Sequence, residues 1–226
     1  MLVRRALTIL SITLLAVSCS DVVGVRGGVE QRNIGPVPHF LRWDGGSSPR
    51  MTAIGGVRKP TGDGINAAAP NELSLEHNSA SFWSVRGAER SIQINYQGAD
   101  GSTAPFLKLT TTDPRWTPEQ GDIAEGDSVL ITVTVDPENV KVTMEPTGLQ
   151  FGDPAQLAIS YDGAAGDLNG DGVVDASDAF IESQLLGMWY REDSNEAWTP
   201  IPNVHSLAEK SFVSSLPHFC EYAVSW

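Results

Sequence analysis

The chain has 226 residues, of which 41% are hydrophobic and 19% charged. That is enough apolar material for one substantial domain, and it excludes wholesale disorder. The formal net charge of −13 argues against nucleic-acid binding, which works by neutralising phosphates with basic side chains. It suits divalent cations or cationic partners, or simple solubility.

The chain opens with a basic start, Arg4 and Arg5, followed by the apolar run Ala6–Val17. The run is too short to span a bilayer and has the length of a signal-peptide core. Leu15-Ala16-Val17-Ser18-Cys19 follows and resembles the lipobox of bacterial lipoproteins, with Ala16 where that family more often has Leu. The resemblance implies that residues 1–18 are a signal peptide and that the Cys19 thiol is diacylglycerated and becomes the new N-terminus. Several acyl chains on one residue anchor stably, where a single chain is marginal. The expected location is then outside the cytoplasm, lipid-anchored, at the outer membrane, because Ser20 carries no retention signal by family analogy. Cleavage leaves 28 acids against 13 bases, a net −15. A lipidated Cys19 leaves Cys220 without an intrachain partner, so no disulfide framework is expected.

Residues 19–78 are poor in periodic signal and punctuated by Gly27-Gly28, Gly35-Pro36, Gly45-Gly46, Gly55-Gly56 and Ala67-Ala68-Ala69-Pro70. This reads as a flexible tether, with His39-Phe40-Leu41-Arg42-Trp43 as a short ordered or docking patch inside it.

From residue 79 to 226 the pattern alternates. Ile92, Ile94 and Tyr96 share one face, as do Val129, Ile131, Val133 and Val135. Val140, Val142 and Met144 repeat the pattern, then Leu157, Ile159 and Tyr161, then Cys220, Tyr222, Val224 and Trp226. Period two over short runs, with turn residues such as Asp136-Pro137-Glu138-Asn139 between them, predicts antiparallel strands. The fold class expected is mainly β: an antiparallel β-sandwich with an inserted calcium loop over 162–187 and one short helix. Glu145-Pro146-Thr147-Gly148-Leu149-Gln150-Phe151 and Pro154-Ala155-Gln156-Leu157 resemble a stretch of the sandwich domain shared by ankyrins and netrin receptors, which implies the same fold class.

The strongest chemical signal is Asp167-Leu168-Asn169-Gly170-Asp171-Gly172-Val173-Val174-Asp175-Ala176-Ser177-Asp178. Side-chain oxygens fall at positions one, three, five, nine and twelve, and glycine sits at six, where such a loop must turn sharply. Calcium takes roughly six to eight oxygens. The expected ligands are Asp167, Asn169, Asp171, the Val173 carbonyl, Asp175 and Asp178, with Val174 packing inward. A helix is expected over Ala176–Leu186, ended by Gly187, with Ile181, Leu185 and Met188 on one face. A loop with no entering helix, opening Gly166-Asp167-Leu168-Asn169-Gly170-Asp171-Gly172, resembles a single dockerin repeat more than a full EF-hand. In that family two such loops pair and attach polysaccharide-degrading enzymes to cohesin modules. Asp193-Ser194-Asn195-Glu196-Ala197-Trp198 starts like a second loop but lacks the acid and glycine at positions five and six.

Gly126-Asp127-Ser128-Val129 resembles an esterase nucleophile motif, but no Asp-x-x-His accompanies it and the serine opens a strand. His39, His77, His205 and His218 lack metal spacing. Acids are plentiful, but nothing singles out a glycosidase pair. Trp189, Trp198 and Trp226 either stack on sugars or fill the sandwich, and core packing is the better expectation. These features predict a non-enzymatic, membrane-anchored protein with structural calcium. The alternative is a carbohydrate-associated protein, either a dockerin-type adhesion partner or a sugar-binding module.

Overall fold

The computed structural model describes residues 38–55, 73–75, 77–98 and 100–226. The signal segment, Cys19 and the remainder of the expected tether lie outside the described residues. The strands run in chain order as β1 Met51–Ile54, β2 Leu73–Ser74, β3 Ser79–Val85, β4 Arg90–Gln97, β5 Thr103–Thr111, β6 Pro114–Thr117, β7 Gly121–Asp122, β8 Ser128–Val135, β9 Lys141–Glu145 and β10 Gln150–Ser160. A short helix, α1 Ala176–Phe180, widens into a π-turn over Ile181–Leu185. Then come β11 Gly187–Arg191, β12 Thr199–Pro200, β13 Val204–Ser206, β14 Ser211–His218 and β15 Glu221–Ser225.

The fold is an antiparallel β-sandwich. One sheet has the order β13-β14-β10-β5-β4-β1-β2, with the β6–β7 ribbon attached to β10; the other has β12-β11-β15-β9-β8-β3. The inward residues are those that period two selects. Ile92, Ile94, Leu107, Leu109, Leu157, Ile159 and Phe212 line one sheet, and Phe82, Ile131, Val133, Val142, Met144, Tyr222 and Val224 the other. Full burial of each such side chain stabilises the fold by about 1.5–3 kcal/mol before conformational entropy is counted. The Asp136–Asn139 turn joins β8 to β9. The Asp136 carboxylate accepts the N–H groups of Glu138 and Asn139 at 2.9 and 2.8 Å and lies 3.0 Å from Lys141 Nζ. Burial opposes its ionisation, but these donors and the lysine outweigh that and hold its pKa below the ordinary aspartate value.

Two features break the simple alternation. Between β4 and β5 the register shifts: Ile94 faces Leu107, but Asn95 faces Pro105. Phe106 is the extra residue of this bulge and turns into the core beside Leu107. At the C-terminus, Phe219, Ala223 and Ser225 are as buried as Cys220, Tyr222 and Val224, while Trp226 is half-buried. The cause is position, since β15 lies inside its sheet between β11 and β9 and the N-terminal segment crosses its end. Cys220 is a free, buried thiol, and burial pushes its pKa up to about 11.

The sandwich also begins earlier than residue 79. Residues 38–55 belong to it, which corrects the tether expectation for that stretch. His39 exchanges backbone hydrogen bonds with Trp226, Leu41 N–H donates to the Val224 carbonyl at 3.1 Å, and Val140 N–H donates to the Leu41 carbonyl at 2.8 Å. Leu41 and Trp43 are buried, and β1 pairs with β4 from Met51–Tyr96 to Ile54–Gln93. Glycine pairs on either side masked this segment as linker. The alternation of Leu41 and Trp43 was a real but short strand-like signal.

Candidate metal centre

The loop connects β10 of one sheet to β11 of the other, so it sits on the crossover between the two layers. Its base is held by the N-terminal segment. Asp44 N–H donates to the Gly163 carbonyl at 3.0 Å and Ala165 N–H to the Arg42 carbonyl at 2.9 Å. A cleft of about 610 Å³ separates that segment from the first half of the loop, with Phe40, Arg42, Asn139, Asp167 and Asn169 among its walls. Where the loop leaves the sheet, the buried Tyr161 hydroxyl lies 2.8 Å from Nε2 of His205 on β13. Burial raises the Tyr161 pKa, and the Glu182 carboxylate on the π-turn adds to the rise. Tyr161 and His205 are 44 residues apart, and no sequence spacing announces their contact.

The chain turns tightly through the loop. Gly170 and Gly172 have φ of +75° and +88°, a region that costs an ordinary residue strain and glycine none. The turns wrap the backbone around Asp167. Its Oδ1 accepts the N–H of Gly170 at 2.8 Å and of Asp171 at 3.2 Å, and its Oδ2 accepts that of Gly172 at 2.8 Å. Asn169 Oδ1 accepts the Asp171 N–H at 2.9 Å, and Asp171 Oδ1 accepts the Val173 N–H at 2.9 Å.

The far end closes on the near end. Asp175 caps α1 by accepting the Ser177 N–H at 2.7 Å, and Asp178 completes a capping box by accepting the Asp175 N–H at 2.8 Å. The other Asp178 oxygen accepts the N–H of Leu168 at 2.7 Å and of Asn169 at 3.2 Å. Asp178, at 3% exposure, is the one buried carboxylate of the loop. Its pKa is held below the ordinary aspartate value, first by the Asp175 N–H and then by those of Leu168 and Asn169, against the opposing effect of burial.

The expected ligand residues therefore occupy one closed loop, and the donors are all hard oxygens. Among the described residues, no group of three or more His, Cys, Asp or Glu side chains converges as a metal cluster. The carboxylates direct their oxygens to backbone N–H groups. The stretch itself offers little counter-charge. Nine acids lie between residues 162 and 196, against Arg191 as the single base, and Arg191 is paired with Glu221 at 2.5 Å.

Two packing expectations are corrected. Val174 is 69% exposed rather than inward, because no second loop or core element among the described residues covers it; it lies across Gly166. Leu185 is exposed and Leu186 buried, so the inward set is Ile181, Leu186 and Met188. The π-turn is the reason. Leu186 N–H reaches back five residues to the Ile181 carbonyl at 2.9 Å, and the wider turn rotates Leu185 outward.

The other singled-out residues are dispersed. Ser128 opens β8 after a turn at Gly126, φ +83°. Trp189, Trp198 and Trp226 are half-buried. Trp189 Nε1 donates to the Ser225 carbonyl at 3.2 Å, Trp198 meets Phe40 edge-on with Arg191 over its ring, and Trp226 stacks on His39. The fully buried tryptophan is Trp43. His218 lies 3.3 Å from Glu192 and His77 is exposed.

Comparison with protein-family models, with curated proteins and with solved structures finds no match to this chain.

Proposed function

We propose that this chain is a non-enzymatic exported lipoprotein, anchored through Cys19, whose loop Asp167–Asp178 binds one calcium ion and stiffens a presented surface of the β-sandwich. The observation that carries the reading is the closure of the loop. Its last acid, Asp178, is held by the N–H groups of Leu168 and Asn169 and its first, Asp167, by those of Gly170 to Gly172 just beyond, while four carboxylates and no basic residue lie within the twelve positions. Asp167, Asn169, Asp171, the Val173 carbonyl, Asp175 and Asp178 would hold the ion. The ion supplies the counter-charge that relieves carboxylate repulsion.

Calcium binding to the folded state alone adds about 2.7 kcal/mol of stability at a concentration a hundredfold above Kd, which is several degrees of Tm for a domain of this size. Asp167→Ala with Asp171→Ala is expected to abolish that rise. Hydrogen exchange should gain protection with calcium over residues 162–190 and change little in β8. An unchanged calcium response in the double mutant refutes the assignment, and global unfolding on chelation would make the ion a staple of the whole domain.

The anchor rests on the lipobox resemblance. Among the described residues no helix is long and apolar enough to cross a membrane. Palmitate labelling of the expressed protein is expected to disappear in Cys19→Ala. Label retained by that variant would place the acyl chain elsewhere or remove the anchor from the reading.

A further inference from the structure

The chain passes from β12 of one sheet to β13 of the other through residues 201–203, a strap across one side of the sandwich. The strap is tied to both sheets. Ile201 N–H donates to the Met188 carbonyl on β11 at 3.0 Å, and the Ser214 hydroxyl on β14 donates to the Pro202 carbonyl at 2.8 Å. Beside it lies a cavity of about 350 Å³ with walls from both layers. Thr199, Tyr190 and Tyr222 stand in one row across β12, β11 and β15, so their side chains share a face, and the fully buried Tyr222 makes it the inner one. Pro217 and His218 of β14 face them across the cavity.

The walls are dry except at one point. Pro200, Pro202 and Pro217 have no N–H to offer. No Asp, Glu, Lys or Arg lines the space. The Tyr222 hydroxyl already donates to the His218 carbonyl at 2.6 Å. His218 Nε2 is the exception: it is buried and has no hydrogen-bond partner among the described residues. The Glu192 carboxylate lies 3.3 Å from it, outside the lining and without hydrogen-bond alignment. Buried polar atoms are seldom left in that state. The Tyr190 ring meets the His218 ring edge-on at 5.9 Å and the Tyr222 ring at 6.5 Å, so aromatic surface surrounds the unmet nitrogen.

We propose that this cavity binds a small uncharged phenol, its ring against Tyr190 and the prolines and its hydroxyl on His218 Nε2. The site shares no residue with the loop Asp167–Asp178. Ions are excluded because a buried charge needs a partner, which the lining lacks, and Glu192 beside Nε2 repels an anion. A sugar carries hydroxyls around its whole ring, and those set against three prolines would go unpaired. A flat ring with one hydroxyl meets both conditions. It offers edges and faces to the aromatic walls and a single polar group to the single polar atom. An apolar cavity of about 150 Å³ is enough for benzene, so this one admits a substituted ring.

The test is an NMR titration of the ¹⁵N-labelled full-length chain in detergent micelles, with free p-cresol fixed by dialysis. Saturable shifts are expected at the amides of Tyr190, Ile201 and His218. Toluene, the same ring without the hydroxyl, should bind about tenfold more weakly, the worth of one hydrogen bond in a dry site. His218→Phe keeps a ring but removes Nε2, and should erase that preference while retaining toluene. Thr199→Trp, on a short edge strand, fills the cavity and should abolish binding of both. Circular dichroism checks the folds; should His218→Phe lose its fold, Thr199→Trp and the wild-type preference decide. Shifts that do not saturate, toluene or glucose binding as tightly as p-cresol, or a folded Thr199→Trp chain that binds like the wild type would each overturn the proposal. N-acetyltyrosinamide binding more tightly than p-cresol would make the occupant a tyrosine of another chain and overturn it equally.

Discussion

Trp43→Ala is expected to lower the stability of the domain by about 3–5 kcal/mol, the range for removing a large aromatic side chain from a packed interior. Trp43 is 1% exposed. Its ring meets Phe106 at 5.3 Å and Tyr96 at 6.0 Å, both edge-on, and its Nε1 donates to the Asp136 carbonyl at 2.8 Å. Alanine loses the burial, the two ring contacts and the hydrogen bond, and leaves a cavity between the sheets. Its backbone also holds the sandwich together, since Trp43 N–H donates to the Glu138 carbonyl at 3.1 Å. For a domain of this size the loss corresponds to roughly 10 °C of Tm. Trp226→Ala is the control. It removes a half-buried ring stacked on His39 at 4.4 Å and should cost about 1 kcal/mol. Thermal unfolding of the full chain measures both. A Trp43→Ala protein that melts with the wild type would return residues 38–46 to the status of a tether.

Trp43 also marks where the sequence is legible and where it is not. β8, β9 and β10 could be read directly because each buries one face and exposes the other, so burial writes period two into the residues. β5 could not. Its bulge places Phe106 and Leu107 both inward, and one extra residue destroys the alternation without disturbing the sheet. β15 hides its inner face because it is covered on both. The N-terminal segment makes isolated bridges, Phe40 with Ser225 and Arg42 with Asn139, and such bridges leave only the short alternation of Leu41 and Trp43. The proposed metal loop is legible for a different reason. The residues proposed as ligands are local in sequence, so spacing alone lays out the donor positions. What spacing omits is the third dimension: the burial of Asp178, the exposure of Val174, and the Tyr161–His205 contact at the loop's root.

Asp178 gives the sharpest test of how the loop closes. Asp178→Asn keeps the shape of the side chain but exchanges one acceptor oxygen for an amide donor. It can no longer accept both from Asp175 and from the Leu168–Asn169 pair. Either the helix cap or the loop closure is lost, with a backbone N–H left without its partner at a 3%-exposed position. Amide exchange of Leu168, Asn169 and Asp175 is expected to accelerate by at least about tenfold, with little change in β8. Acid should do the same to the wild type. The folded-state pKa of Asp178 lies below its unfolded value of about 3.9, so ionisation and folding favour each other. Its contribution is fully present above that value and is lost as pH falls through the lowered folded-state pKa. Wild-type loop protection should therefore collapse in that acidic window, while Asp178→Asn, already open, shows no step there. If the loop binds calcium as proposed, the ion gives the carboxylate a second reason to stay ionised and should move the wild-type step to lower pH. A variant that keeps both its protection and its acid step would mean that the loop is closed by something other than Asp178.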